Sequence, residues 1–318
     1  MNPLVTIIIP FFDHCDFLRE AVESALAQTY ANIEIIVVDD ASPVAEARHL
    51  LEGFNLLNED VILGQEIQSS KMPDGKLSVI RRAMNGGSAA AKNTGIKAGH
   101  GDLIVPLDSD DRLESDYVET VVGAFTSANR SGLAYSGVYT QTQVFGLHEF
   151  IHVPECTMLG IMSGKPAPTT FLYTRKMFDQ LSGYNTNVYH DDDEFWLRAL
   201  SCGHEFYRVE KPLYNYRKHE RGKSTANRTS ALSSFAKANP ELYEKHLPEI
   251  LEAIEEKYFV SLDEYQILHD AFKKLSAYND ELERRLEEVA RRNDHLSRTL
   301  TRRVVDKVKN VLTGSRTR

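Results

Sequence analysis

The chain has 318 residues, 42% hydrophobic and 26% charged, with 18 Gly and 11 Pro, a composition that excludes collagen-like, disordered and purely coiled-coil chains. The length allows two lobes of roughly 100–200 residues each. The net charge of −9 is uneven, +6 from Arg298 onward and −15 on the rest, and an acidic body argues against nucleic acid as the main partner, because phosphate binding needs concentrated Lys and Arg.

Leu4 to Phe12 reads LVTIIIPFF and Ile33 to Val38 reads IEIIVV, ending in Asp39-Asp40. Continuous β-branched runs without alternation predict strands buried on both faces. Between them Phe17, Leu18, Ala21, Val22, Ala25 and Leu26 recur at helical spacing, giving the strand–helix–strand unit of a parallel sheet. Further strands are expected at Leu77–Ile80 and Leu103–Leu107, flanking a small-residue helix around Ser88–Lys97. Residues Gly53 to Lys76 interrupt this rhythm and read as a surface excursion. Beyond it come a helix near Tyr117–Ala128, strands near Leu133–Val144 and a helix over Asp192–Leu200.

From Leu262 the pattern changes. Phe272, Leu275, Asn279, Leu282, Leu286, Val289, Asn293, Leu296 and Leu300 occupy consecutive a and d heptad positions, which predicts a coiled coil and a homo-oligomer. Past it, Val304, Val305, Val308, Val311 and Leu312 form one apolar face lined by Arg302, Arg303, Lys307 and Lys309, a pattern that suits an in-plane helix on an anionic membrane surface. The plain alternative is a frayed, solvated end of the coiled coil. No run approaches the roughly 18 apolar residues of a membrane span. The N-terminal run stops at Pro10 without a basic flank, unlike a signal peptide, and Cys15, Cys156 and Cys202 have neither disulfide nor metal-ligand spacing. The expected location is the cytoplasm, with possible peripheral attachment to the inner face of the cell membrane.

Five motifs carry chemistry. Asp108-Ser109-Asp110-Asp111 directly follows a buried strand; two carboxylates at i and i+2 can hold one hard divalent cation, though Asp is also common in turns and at helix starts. Asp39-Asp40-Ala41-Ser42 ends the second strand, where an acid can accept from a base or a ribose hydroxyl. Asn85-Gly86-Gly87 and the small residues up to Lys92 and Asn93 allow close backbone approach, but form neither a dinucleotide fingerprint nor a phosphate loop. His190-Asp191-Asp192-Asp193-Glu194 opens the helix carrying Trp196-Leu197-Arg198; four acids in a row exceed what capping needs, and their repulsion favours a raised, base-like pKa. Tyr216-Arg217-Lys218-His219 offers cations for a diphosphate and a neutral imidazole for a metal, or is a solvated basic loop.

In this order the motifs resemble the family 2 glycosyltransferases with the GT-A fold. The resemblance covers about Leu4 to Ser224. It implies an α/β, open and mostly parallel sheet flanked by helices, followed here by the coiled-coil tail. The domains are expected as 1–107 for the nucleotide-sugar half, 108–258 for the metal and acceptor half, and 259–318 for oligomerisation. The implied activity is inverting, Mn²⁺- or Mg²⁺-dependent transfer of a hexosyl or N-acetylhexosaminyl group from a UDP-linked sugar to a glycan, polymer or lipid-linked hydroxyl, in bacterial surface polysaccharide synthesis. By this likeness Pro10, Phe11, Asp39 and Asp40 surround the base, Asn85 and Lys92 line the nucleotide, Asp108 and Ser109 contact the nucleoside, and Arg217 faces the diphosphate. Asp110 and His219 hold the metal, and Asp192 is the catalytic base. The chain departs from the family pattern in having Lys92 for the usual Arg and Asp191 for the usual Glu, and in its 53–76 insertion. The rival readings are a sugar nucleotidyltransferase, which would show a Gly-rich basic loop where Pro10-Phe11-Phe12-Asp13 stands, and an inactive transferase-like scaffold.

Overall fold

The computed structural model describes residues 2–13, 15–43, 53–54, 68–71, 75–220 and 235–258. The chain divides into two compact units, Met1–Ile161 with Pro166–Ala226, and Met162–Lys165 with Asn227–Arg318. The first unit holds β1 (Val5–Phe11), α1 (Cys15–Leu26), β2 (Ile33–Asp39), β3 (Gln68–Lys71), β4 (Leu77–Arg81), α2 (Ser88–Ala98), β5 (Leu103–Pro106), β6 (Arg112–Leu113), α3 (Tyr117–Arg130), β7 (Gly137–Gly146), β8 (Phe150–His152), α4 (Met158–Met162, crossing into the second unit), β9 (Leu172–Thr174), α5 (Arg175–Gln180), α6 (Asp191–Ser201) and β10 (Phe206–Lys218).

All of this forms one sheet in the order β3-β4-β2-β1-β5-β9-β7-β10-β6, with β8 paired to β7. The parallel core β4-β2-β1-β5 is the part visible in the apolar runs, and every residue of β1 is buried. β9 joins it antiparallel to both β5 and β7. The expected halves 1–107 and 108–258 therefore share a sheet, while residues 227–258 group with the second unit. Part of the 53–76 excursion is β3, an antiparallel edge strand on β4. The Tyr216–Lys218 segment, whose plain reading was a solvated loop, is the end of β10, paired parallel to β7.

On α1, Leu18, Ala21, Val22 and Ala25 are buried at the spacing the sequence displays. α2 packs through its small residues: a Cβ on Gly95 would lie 2.8 Å from Val38 Cγ2 and 2.9 Å from Ile8 Cγ2, so helix and sheet meet at glycine distance. The second unit contains the helices Pro240–Lys245 and Leu247–Tyr258, the first opened by proline. No helix among the described residues is long and apolar enough to cross a membrane. The heptads of 272–300 and the basic end at 302–312 lie outside the described residues.

Candidate active site

The parallel strands β4, β2, β1 and β5 end at Arg81, Asp39, Phe11 and Pro106, and the carboxyl edge of such a sheet is where ligands bind. Pro10 and Phe11 belong to the buried strand, Phe11 being 2% exposed; the ring open to solvent at this edge is Phe12, at 49%. Asp39 and Asp40 are both buried and committed inside the protein. Asp39 accepts from the Ser42 N–H at 2.8 Å and from the Arg81 guanidinium, its partner in strand register. Asp40 accepts from Arg82 and from the N–H groups of Gly86 (3.0 Å) and Gly87 (2.7 Å), while its carbonyl accepts from the Asn85 amide at 3.2 Å. It thus anchors the Asn85-Gly86-Gly87 turn. Arg81 and Arg82 have no place in the sequence reading; the available signal was a basic pair directly after a strand parallel to the one ending in Asp39-Asp40.

After β5 the chain turns, with the Asp111 N–H donating to the Asp108 carbonyl at 3.1 Å. Asp108, Asp110 and Asp111 each bring one carboxylate oxygen within 4.8 Å of the others. They are not equivalent. Asp111 is fully buried, and its oxygens accept from the Tyr214 hydroxyl and from the Arg217 N–H at 2.7 Å. Burial, with Asp110 and Asp108 alongside, pushes its carboxyl well above the usual range. Asp108 and Asp110 are half-buried, and His219 Nε2 lies 2.9 Å from Asp110 Oδ2. The clustered carboxylates of Asp108 and Asp110 are of the hard-oxygen type that suits a Mn²⁺- or Mg²⁺-type ion.

Arg217 is heavily used within the protein. Its guanidinium lies between the Phe17 and Phe145 rings, 4.3 and 4.5 Å from their centroids. It also donates to the Asp110 carbonyl at 2.8 Å and to Glu20 at 2.7 Å. Phe17 touches His219 edge-on, with centroids 5.0 Å apart.

The small-residue helix α2 turns out to serve the acid-rich helix α6. Lys92, 1% exposed, places Nζ 2.6 Å from Asp192 Oδ1, 3.1 Å from Asp191 Oδ2 and 3.8 Å from Asp108 Oδ1. Burial alone would lower the ammonium's pKa, but Asp191, Asp192 and Asp108 together outweigh it and hold the pKa well above its usual value. A single positive charge cannot balance three acids. Burial, aided by Asp191 and Asp108 and opposed by Lys92, lifts the Asp192 carboxyl well above the carboxylate range.

The turn before α6 is held just as firmly. The Asn93 side chain accepts from the Tyr184 N–H and donates to the Tyr184 carbonyl, both at 2.8 Å. Arg198 pairs with Glu194 at 2.8 Å and donates to the carbonyls of Leu181 and Gly183 at 2.5 and 2.8 Å. Asn93 stands inside a motif the sequence shows, yet its partner lies 91 residues away, beyond any local pattern.

Residues 6–197 match the family described as Glycosyl transferase family 2. The chain belongs to that family. As a family 2 glycosyltransferase it is 27% identical over 236 residues to Glycosyltransferase GlyA of Streptococcus pneumoniae serotype 4, covering 67% of this chain and 30% of that one. It is 25% identical over 226 residues to the putative teichuronic acid biosynthesis glycosyltransferase TuaG of Bacillus subtilis, covering 68% of this chain and 79% of that one. The chain spans about a third of the first two curated relatives it matches, 30% and 35% of their lengths. Among solved structures it shares the GT-A fold of S. aureus TarS 1-349 in complex with UDP-GlcNAc, with TM-score 0.59, 18% identity, and coverage of 81% of this chain and 73% of that one. The mannosyltransferase PcManGT of Pyrobaculum calidifontis, in complex with GDP-Man and Mn²⁺, aligns with TM-score 0.51, 18% identity, and coverage of 87% and 81%.

Proposed function

We propose that this glycosyltransferase moves a sugar from a UDP-linked donor to a hydroxyl of a bacterial glycan or polymer, with inversion and dependence on Mn²⁺ or Mg²⁺. The observation carrying this reading is the buried Lys92, whose ammonium sits among Asp108 of the metal loop and Asp191 and Asp192 of α6. It draws the metal loop and the base-bearing helix to one point. The proteins named above, one a putative teichuronic acid biosynthesis glycosyltransferase and two solved with UDP-GlcNAc or with GDP-Man and Mn²⁺, favour a nucleotide-sugar donor and a divalent metal.

Asp110 and His219, with Asp108 beside them, would hold the cation, which when bound neutralises charge on a departing diphosphate. Asp192 takes the proton of the acceptor hydroxyl. Lys92 fixes its Oδ1, leaving Oδ2 for that proton, and burial makes the carboxylate more basic than an exposed Asp. Asp193 is tied instead to the neighbouring segment, its Oδ1 accepting from the Ala167 N–H at 2.7 Å. On this reading one base acts on the acceptor and the sugar passes in a single displacement, which is inversion. Arg217 contributes by bracing the Asp110 backbone.

The test is nucleotide release by the full chain with a panel of UDP- and GDP-sugars and Mn²⁺. Asp192→Asn is expected to retain Mn²⁺-dependent UDP binding and to lose transfer by roughly 10²–10⁴-fold. An active Asp192→Asn beside a dead Asp191→Asn or Asp193→Asn would shift the base by one position.

A further inference from the structure

The metal loop and the base-bearing helix are joined a second time, through residues other than Lys92. Asp111 closes the turn that presents Asp108 and Asp110, and its Oδ2 accepts from the Tyr214 hydroxyl of β10. Tyr214 is 2% exposed, and its oxygen lies 2.6 Å from the Thr169 hydroxyl. A phenol has one proton. Since Tyr214 gives its own to Asp111, Thr169 donates to Tyr214, and the chain of hydrogen bonds runs one way. Thr169 ends a short segment that α6 holds from the other side. The Ala167 N–H donates to Asp193 Oδ1 at 2.7 Å, and Trp196 Nε1 donates to the Pro168 carbonyl at 2.9 Å.

We propose that Tyr214 is a positioning residue that sets the distance between the metal loop and the catalytic helix, through Asp111 on one side and Thr169 with its Asp193- and Trp196-bound segment on the other. The inference rests on reading Asp110 as a metal ligand and Asp192 as the base. Buried hydrogen-bond chains of this kind act as units, because each member left without its partner carries a desolvation cost and relaxes the next. Displacements of about 1 Å in such a frame can cost up to 10²-fold in rate. The sequence reading found the acid-rich helix start excessive for capping; on this account Asp193 is there to hold Ala167, beside the base but not acting as one.

The two arms of the network separate experimentally. In the full chain, Tyr214→Phe removes only the hydroxyl and cuts both arms, whereas Thr169→Val cuts only the one leading to α6. Binding of UDP is measured as a function of Mn²⁺, and UDP release from UDP-GlcNAc gives kcat. Tyr214→Phe is expected to weaken the apparent Mn²⁺ constant about tenfold and to lower kcat by roughly ten- to hundredfold. Thr169→Val should lower kcat alone, Thr169→Ser should restore it, and the double variant should match Tyr214→Phe rather than multiply the two losses. If Tyr214→Phe does not fold, Thr169→Val decides: lowered kcat with an unchanged Mn²⁺ constant upholds the coupling, and wild-type kcat overturns it. Kinetic constants within twofold of wild type alongside a lowered Tm, or effects that multiply, also overturn it. A wild-type chain that binds UDP equally with and without Mn²⁺ overturns the coupling and the functional reading together; Mn²⁺-dependent wild-type binding with unaffected variants overturns the coupling alone.

Discussion

The Lys92 ammonium and the Asp192 carboxylate meet at 2.6 Å across 100 residues of chain, with Lys92 1% exposed. This one contact ties α2 to the acid-rich start of α6. It also makes Lys92 a counter-ion of the acidic cluster.

Lys92→Met is therefore expected to lose both fold stability and activity. Removing one partner of a buried charge set costs about 3–5 kcal/mol, since the remaining acids are left buried and uncompensated. Lys92→Arg should recover part of the loss, because it keeps the charge in a bulkier, forked form. Urea unfolding and nucleotide release measure the two effects; a Lys92→Met protein as stable and active as wild type refutes the assignment.

Metal removal gives a second expectation. Chelation should abolish nucleotide release, and Mn²⁺ or Mg²⁺ should restore it. Asp110→Ala and His219→Ala should each raise the metal concentration needed for half-maximal activity, Asp110→Ala more strongly because it removes a carboxylate. Undiminished turnover in excess chelator sinks the metal assignment.

Asp40 gives a third. Asp40→Ala strips the acceptor from Arg82 and from two N–H groups of the Gly86-Gly87 turn. Gly86 and Gly87 are exposed and Arg82 is half-buried, so water takes up part of the loss and each missing hydrogen bond costs about 0.5–1.5 kcal/mol. The variant should be destabilised and bind UDP more weakly through loosening of this turn, while Asp40→Asn, which keeps an acceptor oxygen, should fall between it and wild type. Calorimetric UDP binding and thermal melts on the same samples make the comparison. Wild-type UDP affinity in Asp40→Ala removes the turn from the nucleotide site.

Glu34 sets an acid limit on stability. Burial alone would raise its pKa, but hydrogen bonds from the Thr6 hydroxyl, the His100 backbone and ring, and the Gly101 N–H favour the ionised form more strongly and leave it below the usual value. A depressed folded pKa means the contribution is complete above the unfolded-state pKa, about 4.3, and is lost as pH falls through the lower, folded one. Wild type should therefore lose more stability than Glu34→Gln between about pH 5 and pH 3. Parallel pH–stability curves for the two proteins would contradict this.

Local pattern alone determined the parallel core, the helix α1, the start of α6 and the family, because burial on both faces, the spacing of apolar residues and acids at strand ends are written within a few residues of one another. The acids Asp108, Asp110 and Asp192 were legible for the same reason. What the tertiary structure decided is how those groups are held. In the sequence Asp40 reads as a nucleotide contact and Asp111 as a turn or helix-start acid; the fold adds that their oxygens accept from Arg82, Gly86 and Gly87, and from Tyr214 and Arg217. Phe11 turns inward and Phe12 outward at the same strand end. Lys92 and Asn93 reach partners roughly a hundred residues away, at Asp191, Asp192 and Tyr184. A carboxylate carries the same charge whether it faces a ligand or an arginine, so only the position of distant donors, brought in when β9 and β10 complete the sheet, decides which partners each acid meets.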